Sequence, residues 1–303
     1  MGDKVLELNG ITRRYGKATV VDNFSLSVEK GHICGLIGPN GAGKTTIMRM
    51  MAGLTAPNGG EMRFFGSNNL DEARRRMSFM LEAPIVDPNM TAKQNLMYVR
   101  YARGIADGKK IGEVLETVGL ADTGKKLVGK FSLGMKQRLG IAMSLLNEPE
   151  IMVLDEPVNG LDPEGIVEIR HMLEKLSNER GVTIIISSHI LSELAELCTD
   201  FTLINHGRHI ESLSTDELAI KCRNHISIRT DNINETAAVL EKKLSIHEYK
   251  VIHGEEIHLF ERLGEIENVS KTITDSGLII TKLVNEGENL EDYYLSKVGA
   301  QNE

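Results

Sequence analysis

Between Gly38 and Thr45 the chain reads Gly-Pro-Asn-Gly-Ala-Gly-Lys-Thr. The spacing G-x-x-x-x-G-K-[ST], after an apolar strand-like run and ahead of a helix-like one, is that of a phosphate-binding loop. Gly38, Pro39, Asn40, Gly41, Ala42, Gly43, Lys44, Thr45 and Thr46 would bind the nucleotide, with the N–H groups of about residues 41–46 surrounding its β- and α-phosphate oxygens. The Lys44 ammonium would reach β- and γ-phosphates, and the Thr45 hydroxyl would ligate Mg²⁺. The implied ligand is ATP with Mg²⁺. A glycine-rich turn with a solvated lysine needs neither the preceding strand nor the following helix.

Two more groups suit the same chemistry. Ile151-Met-Val-Leu-Asp155-Glu156 is an apolar run ending in two adjacent carboxylates. Alone, that pair would read as a solvated strand end. Beside a phosphate loop, Asp155 suits Mg²⁺ and Glu156 suits polarising a water for attack on the γ-phosphate. His189 closes a second apolar run, at the carboxyl edge where open α/β sheets bind ligands. There it would sense the γ-phosphate and help orient the water. Lys44, Glu156 and His189 are thus the candidate catalytic residues.

The stretch Lys130–Pro149 poses a different question. Ser132 ahead of an apolar stripe at Leu139, Ala142, Leu145 and Leu146 predicts a helix start, and Pro149 its stop. Gly134 sits just inside that start, where glycine costs about 0.5–1 kcal/mol against alanine. Small residues and free N–H groups at a helix start suit an anion.

The elements that carry these residues alternate in type. Residues 3–38 predict short strands joined by Asn-Gly and Lys-Gly turns. A helix is expected from Thr45 to Leu54, broken by Pro57-Asn-Gly-Gly60, and EMRFFG is a short strand. Residues 71–148 read as mostly helical, with a capping box at Thr91–Gln94. IMVLDEP and VTIIISSH predict buried strands. EGIVEIRHMLEKLSNERG and ILSELAELC predict helices, and FTLINHGRHIES a hairpin about His206-Gly207. The HxxH at His206–His209 lacks a Cys or acidic ligand set and reads as structural. Strands alternating with helices argue a parallel α/β sheet. After Ser214 the order β-α-β-β-α-β-α predicts a small α+β unit of ferredoxin-like type.

Bulk properties set the outer limits. The 303 residues suffice for one large or two modest domains. The net charge of −8 argues against a general nucleic-acid binder. The three scattered cysteines suggest no disulfide framework and favour a reducing compartment. MGDKVLELNGITRRYG has no long apolar stretch, so no signal peptide is expected. No apolar run approaches the roughly 18 residues of a membrane span, so a membrane role would need a partner with spanning helices.

Together, the phosphate loop, the Lys130–Arg138 segment, the strand ending Asp155-Glu156, the Gly160-Leu161-Asp162 turn and His189 resemble, in order, the nucleotide-binding subunit of an ABC transporter. The resemblance covers residues 3–213. It implies a P-loop ABC-type ATPase domain over 1–213, with a mixed sheet and a helical subdomain over about 83–148. A linker over 214–225 and an accessory domain over 226–303 would follow. It also implies that Phe131–Met135 is the signature loop. Ser132 and Gly134 would then grip the ATP of a second subunit, in a homodimer or heterodimer that sandwiches two nucleotides. Asp162 would lie on the loop crossing that interface, and Tyr15 would stack on adenine. The motifs depart from the family at Leu133, Met135 and Glu82. Leu133 replaces a glycine, which predicts an ordinary helical or extended backbone there; Met135 replaces a glutamine. Glu82 replaces the glutamine of the loop joining sheet to helical subdomain, and would join Thr45 and Asp155 as a Mg²⁺ ligand. Glu82, FSLGMKQRL and the ending NLEDYYLSKVG resemble the bacitracin and lantibiotic resistance branch.

The implied function is ATP hydrolysis that drives export through a separate membrane permease, on the cytoplasmic face and without nucleic acid. The alternative is a soluble ABC ATPase acting on ribosomes or nucleic acid. Such proteins usually carry two ATPase units or long coiled-coil insertions; this chain has one phosphate loop and no heptad run. A P-loop kinase would leave the signature segment and His189 without a role.

Overall fold

The computed structural model describes residues 3–189, 194–222, 224–252, 254–287 and 290–299. They form two units, 1–215 and 216–303.

The first unit begins with a hairpin, β1 (Lys4–Tyr15) and β2 (Ala18–Glu29). β3 (Ile33–Ile37) leads through the phosphate loop into helix α1 (Lys44–Met51). β4 (Gly59–Phe64) then returns to β1, giving an antiparallel sheet of order β2-β1-β4. The expected Asn9-Gly10 turn is instead a kink inside β1. The register shifts between Leu8 and Ile11, and the Gly10 N–H donates to Ser25 Oγ at 3.0 Å. Pairing with β2 on both sides of the kink keeps the chain extended.

Beyond β4 come α2 (Leu70–Arg74) and β5 (Met77–Met80). β5 interrupts the stretch that the sequence pattern reads as helical. Four residues are too few to show a strand period; their parallel pairing with the run Ile151–Leu154 decides the conformation. Helices α3 (Ala92–Ala102), α4 (Lys110–Thr117) and α5 (Leu133–Leu145) follow. The Thr91–Gln94 capping box is present at the start of α3, with both reciprocal bonds.

β6 (Ile151–Asp155), α6 (Pro163–Arg180), β7 (Thr183–Ser188), β8 (Asp200–Asn205) and β9 (Arg208–Ser214) complete the unit. The second sheet runs β5-β6-β7-β3-β8-β9, parallel except for β9. Every residue of β3, β6 and β7 is buried, as continuous apolar runs require of strands covered on both faces. Ile47, Met48, Met50 and Met51 of α1 are fully buried, in one cluster with Leu6, Phe24 and Phe64 of the first sheet and Leu36 and Val153 of the second. At about 1.5–3 kcal/mol per buried side chain, that cluster fixes where α1 starts, and so where the phosphate loop ends. The helix expected over Ile190–Cys198 lies partly outside the described residues.

Of residues 214–225, Thr215–Lys221 form α7, and the unit boundary falls after Thr215. The second unit contains β10 (His225–Thr230), α8 (Ile233–Leu244), β11 (Tyr249–Ile252), β12 (Glu256–Leu259), α9 (Ile266–Thr274), β13 (Ile280–Glu286) and α10 (Leu290–Gly299). Its sheet is antiparallel with order β11-β12-β10-β13. Each of α8 and α9 joins two strands that have a third between them. Ile226, Ile228, Ile257 and Leu259 meet Leu240, Val269 and Ile273 in a separate core. No described helix is long and apolar enough to cross a membrane.

Candidate functional site

β3, β6 and β7 are parallel neighbours, so their carboxyl ends meet on one edge. That edge carries the loop after β3, Asp155-Glu156 after β6 and His189 after β7. A cleft of about 190 Å³ opens there, lined by Val20, Pro39 through Thr46, and Glu156.

The cleft suits a phosphate chain. Gly41 and Gly43 have φ of +83° and +106°, a left-handed backbone open to glycine. Gly38 lies so close to β8 that a Cβ there would stand 2.3 Å from the Ile204 carbonyl oxygen. α1 begins without a side-chain cap and without an acidic residue in its first turn. Its first N–H groups are therefore left for an outside acceptor. Lys44 is buried, and its Nζ donates to the carbonyls of Gly38 at 2.6 Å and Pro39 at 3.2 Å.

The carboxylates come next. Lys44 Nζ lies 3.4 Å from Glu156 Oε1, and Glu156 Oε2 lies 2.7 Å from His189 Nδ1. An ionised carboxylate only accepts, so Nδ1 carries the proton and Nε2 of a neutral imidazole remains an acceptor. Asp155 is buried and accepts from Ser187 Oγ at 2.5 Å. The same Ser187 oxygen accepts the Glu156 N–H at 2.9 Å. Glu156 has φ of +50°, a left-handed conformation that side-chain-bearing residues rarely adopt. The bond to Ser187 helps hold it there.

Ser187 was missed by sequence reasoning. Its signal is a hydroxyl residue at the carboxyl end of the apolar run Thr183–Ser188, opposite Asp155 across the pair β6·β7. Val20 was missed as well; nothing in a β2 valine marks it as a cleft wall.

A family model described as ABC transporter matches residues 21–159. The chain is 40% identical over 298 residues to the bacitracin transport ATP-binding protein BcrA of Bacillus licheniformis, covering 97% of each. The chain belongs to the ABC transporter ATP-binding proteins. It is 42% identical over 206 residues to the lantibiotic transport ATP-binding protein SrtF of Streptococcus pyogenes, covering 68% of this chain and 89% of that protein. Among solved structures, an ATP-binding subunit of an ABC transporter aligns with a TM-score of 0.63 at 26% identity, over 72% of this chain and 92% of that one. The chain is accordingly an ATPase of the ABC class, and ATP is its nucleotide.

The family's other motif positions lie as follows. Ser132 is the N-cap of α5, and its Oγ accepts the Met135 N–H at 3.2 Å. Accepting leaves its own hydroxyl proton free to donate. Leu133 is the first helical residue and has no positive φ, in line with the reading of that position as ordinary backbone. Two leucine-glycine contacts join this start to the turn after β6. Leu133 Cδ2 lies 3.3 Å from where a Gly160 Cβ would stand, and Leu161 Cδ2 lies 3.8 Å from that of Gly134. Asp162 caps α6, accepting the Gly165 N–H at 3.2 Å. Tyr15 is half-exposed at the end of β1, with the Arg13 guanidinium 4.5 Å from its ring centroid. Hydrogen bonding with Thr55, then Arg13, lowers its phenol pKa.

Glu82 stands apart. Its carboxylate is ion-paired with Arg49 of α1, and the residue is not part of the cleft lining. Its φ is +66°. Thr45 and Thr46 line the cleft; Tyr15, Gly38, Glu82, Ser132, Gly134, Asp155, Asp162 and His189 do not.

Proposed function

We propose that this ABC ATPase powers export of a bacitracin- or lantibiotic-like peptide through a separate membrane permease. The permease would hold it at the inner face of the membrane, and two ATPase subunits would close over two ATP molecules. Identity to BcrA along nearly the whole chain supports the substrate class. The chain of contacts Lys44–Glu156–His189 at the mouth of the phosphate loop carries the catalytic reading.

In this reading the phosphates of ATP draw Lys44 Nζ away from Glu156, which frees the carboxylate to orient and deprotonate a water. His189 keeps Glu156 in place through Nδ1; its Nε2 would accept a proton of the attacking water in the neutral ring, and would donate to the terminal phosphate only when that nitrogen is protonated as well. Thr45 and Asp155 would hold Mg²⁺, whose charge offsets that of the β- and γ-phosphates. The donor types fit: a hydroxyl beside Lys44 in the cleft and a buried carboxylate at the end of β6, on the same sheet edge with β7 between it and β3. Glu82 would join only after exchanging Arg49. Tyr15 would stack on adenine. Ser132, Gly134 and Asp162 would serve the nucleotide held by the partner subunit.

The test is to co-express the chain with its permease in a peptide-sensitive host. Glu156→Gln should keep ATP binding, lose most turnover and abolish resistance. Parent-like hydrolysis by that variant would refute the role of Glu156. Mixing Ser132→Ala with Lys44→Ala chains probes the composite site. Partial recovery of hydrolysis supports a site shared across subunits, and its absence refutes one.

A further inference from the structure

The two-residue tip of the β8–β9 hairpin touches the phosphate loop. Both His206 and Gly207 have positive φ, +46° and +75°, as a type I′ turn requires. The Gly207 N–H donates to the Ala42 carbonyl at 2.8 Å, and the Gly207 carbonyl accepts the Asp22 N–H at 2.9 Å. Ala42 lines the cleft, and so does Val20.

Three backbones converge at this point. A Cβ on Gly207 would stand 2.2 Å from the Val20 carbonyl oxygen and 2.8 Å from Val21 Cα. A Cβ on Gly43 would stand 3.0 Å from the same Val20 oxygen and 3.5 Å from Gly207 Cα. There is no room for a methyl group between the hairpin tip, β2 and the loop. Arg208 fastens the tip further: its Nε and Nη2 lie 2.9 and 2.7 Å from Asp22 Oδ2.

We propose that Gly207 is a positioning residue for the nucleotide. It sets the height of Ala42 and Gly43, and with them the floor on which the phosphates rest. The inference deepens the ATPase reading and rests on it. The hairpin tip directs its N–H and its carbonyl outward, one to the phosphate loop and one to β2. A shift of Ala42 would displace the whole cradle at once.

The experiment uses the full chain and compares the parent with Gly207→Ala and Arg208→Ala. Binding of a fluorescent ATP analogue, steady-state hydrolysis and thermal melting are measured for each. The cradle contacts ground and transition states alike, so Gly207→Ala should raise both Kd and the KM for ATP about tenfold and leave kcat within about threefold. A merely structural glycine would lower the melting temperature and the active fraction without moving KM. Arg208→Ala keeps the glycine and loosens only an exposed clasp, so its KM should rise about two- to threefold. A folded Gly207→Ala with the parent's KM overturns the proposal. If Gly207→Ala does not fold, an unchanged KM in Arg208→Ala overturns it. Failure of the parent to bind the analogue would instead count against the ATPase reading.

Discussion

Ser187→Ala tests how the two carboxylates are held. The hydroxyl is fully buried, donates to Asp155 at 2.5 Å and accepts the Glu156 N–H at 2.9 Å. Its loss removes a hydrogen bond to a charged group, about 1.5–3 kcal/mol, and leaves a partly buried N–H unpaired, about 1 kcal/mol or more. The expected destabilisation is therefore about 3 kcal/mol, or roughly 6–12 °C in melting temperature for a unit of this size. The catalytic effect comes from a different quantity. Glu156 sits at φ +50°, and a left-handed backbone costs an L-residue about 1–2 kcal/mol. Without the bond to Ser187 that strain is released, and the fraction of chains with the carboxylate in place falls. At tenfold per 1.36 kcal/mol, kcat should drop about 5- to 30-fold. The phosphate loop is untouched, so KM for ATP should change little. Phosphate release at saturating ATP, analogue binding and thermal melts separate the two effects. A variant that melts earlier yet keeps kcat within about twofold of the parent would refute the view that Ser187 holds the catalytic geometry.

Two further outcomes are expected. The hydrogen bond from Ser227, with Arg229 and Lys282 adding to it, holds the Glu256 carboxyl down to about 2 against an ordinary 4.5. A depressed folded pKa gives stability that is present above the ordinary value and is lost as pH falls from 4.5 toward about 2. Urea midpoints of the second unit's transition should decline over that window, with a shallower slope in Glu256→Gln; equal slopes would refute the link. Burial pushes the Cys34 thiol up to about 12 and that of Cys198 well above its ordinary value, whereas Cys222 is only half-buried. Mass-spectrometric mapping after brief alkylation of the native chain should find Cys222 modified before the other two, and equal labelling of all three would contradict their burial.

Much of the fold was legible because its signals are local. The buried runs of β6 and β7, the Ser132 helix start and the Thr91 capping box each depend on a few adjacent residues. β5 was not legible, since four residues carry too short a pattern and their partner lies more than seventy residues on. The kink at Gly10 was mistaken for a turn because Asn-Gly suits both; pairing with β2 on each side chose between them.

By itself the sequence determined which chemistry was available: a phosphate loop, two carboxylates at a strand end, and a histidine at the neighbouring one. These are residue types at fixed spacing on elements whose type is set locally. Only the tertiary structure decided that Ser187 bridges Asp155 and Glu156, that Arg49 takes the Glu82 carboxylate, and that Gly207 supports Ala42. Each of those contacts joins residues far apart in the chain, and the distance between them is fixed by how strands pair and helices pack. No spacing rule along the chain encodes it.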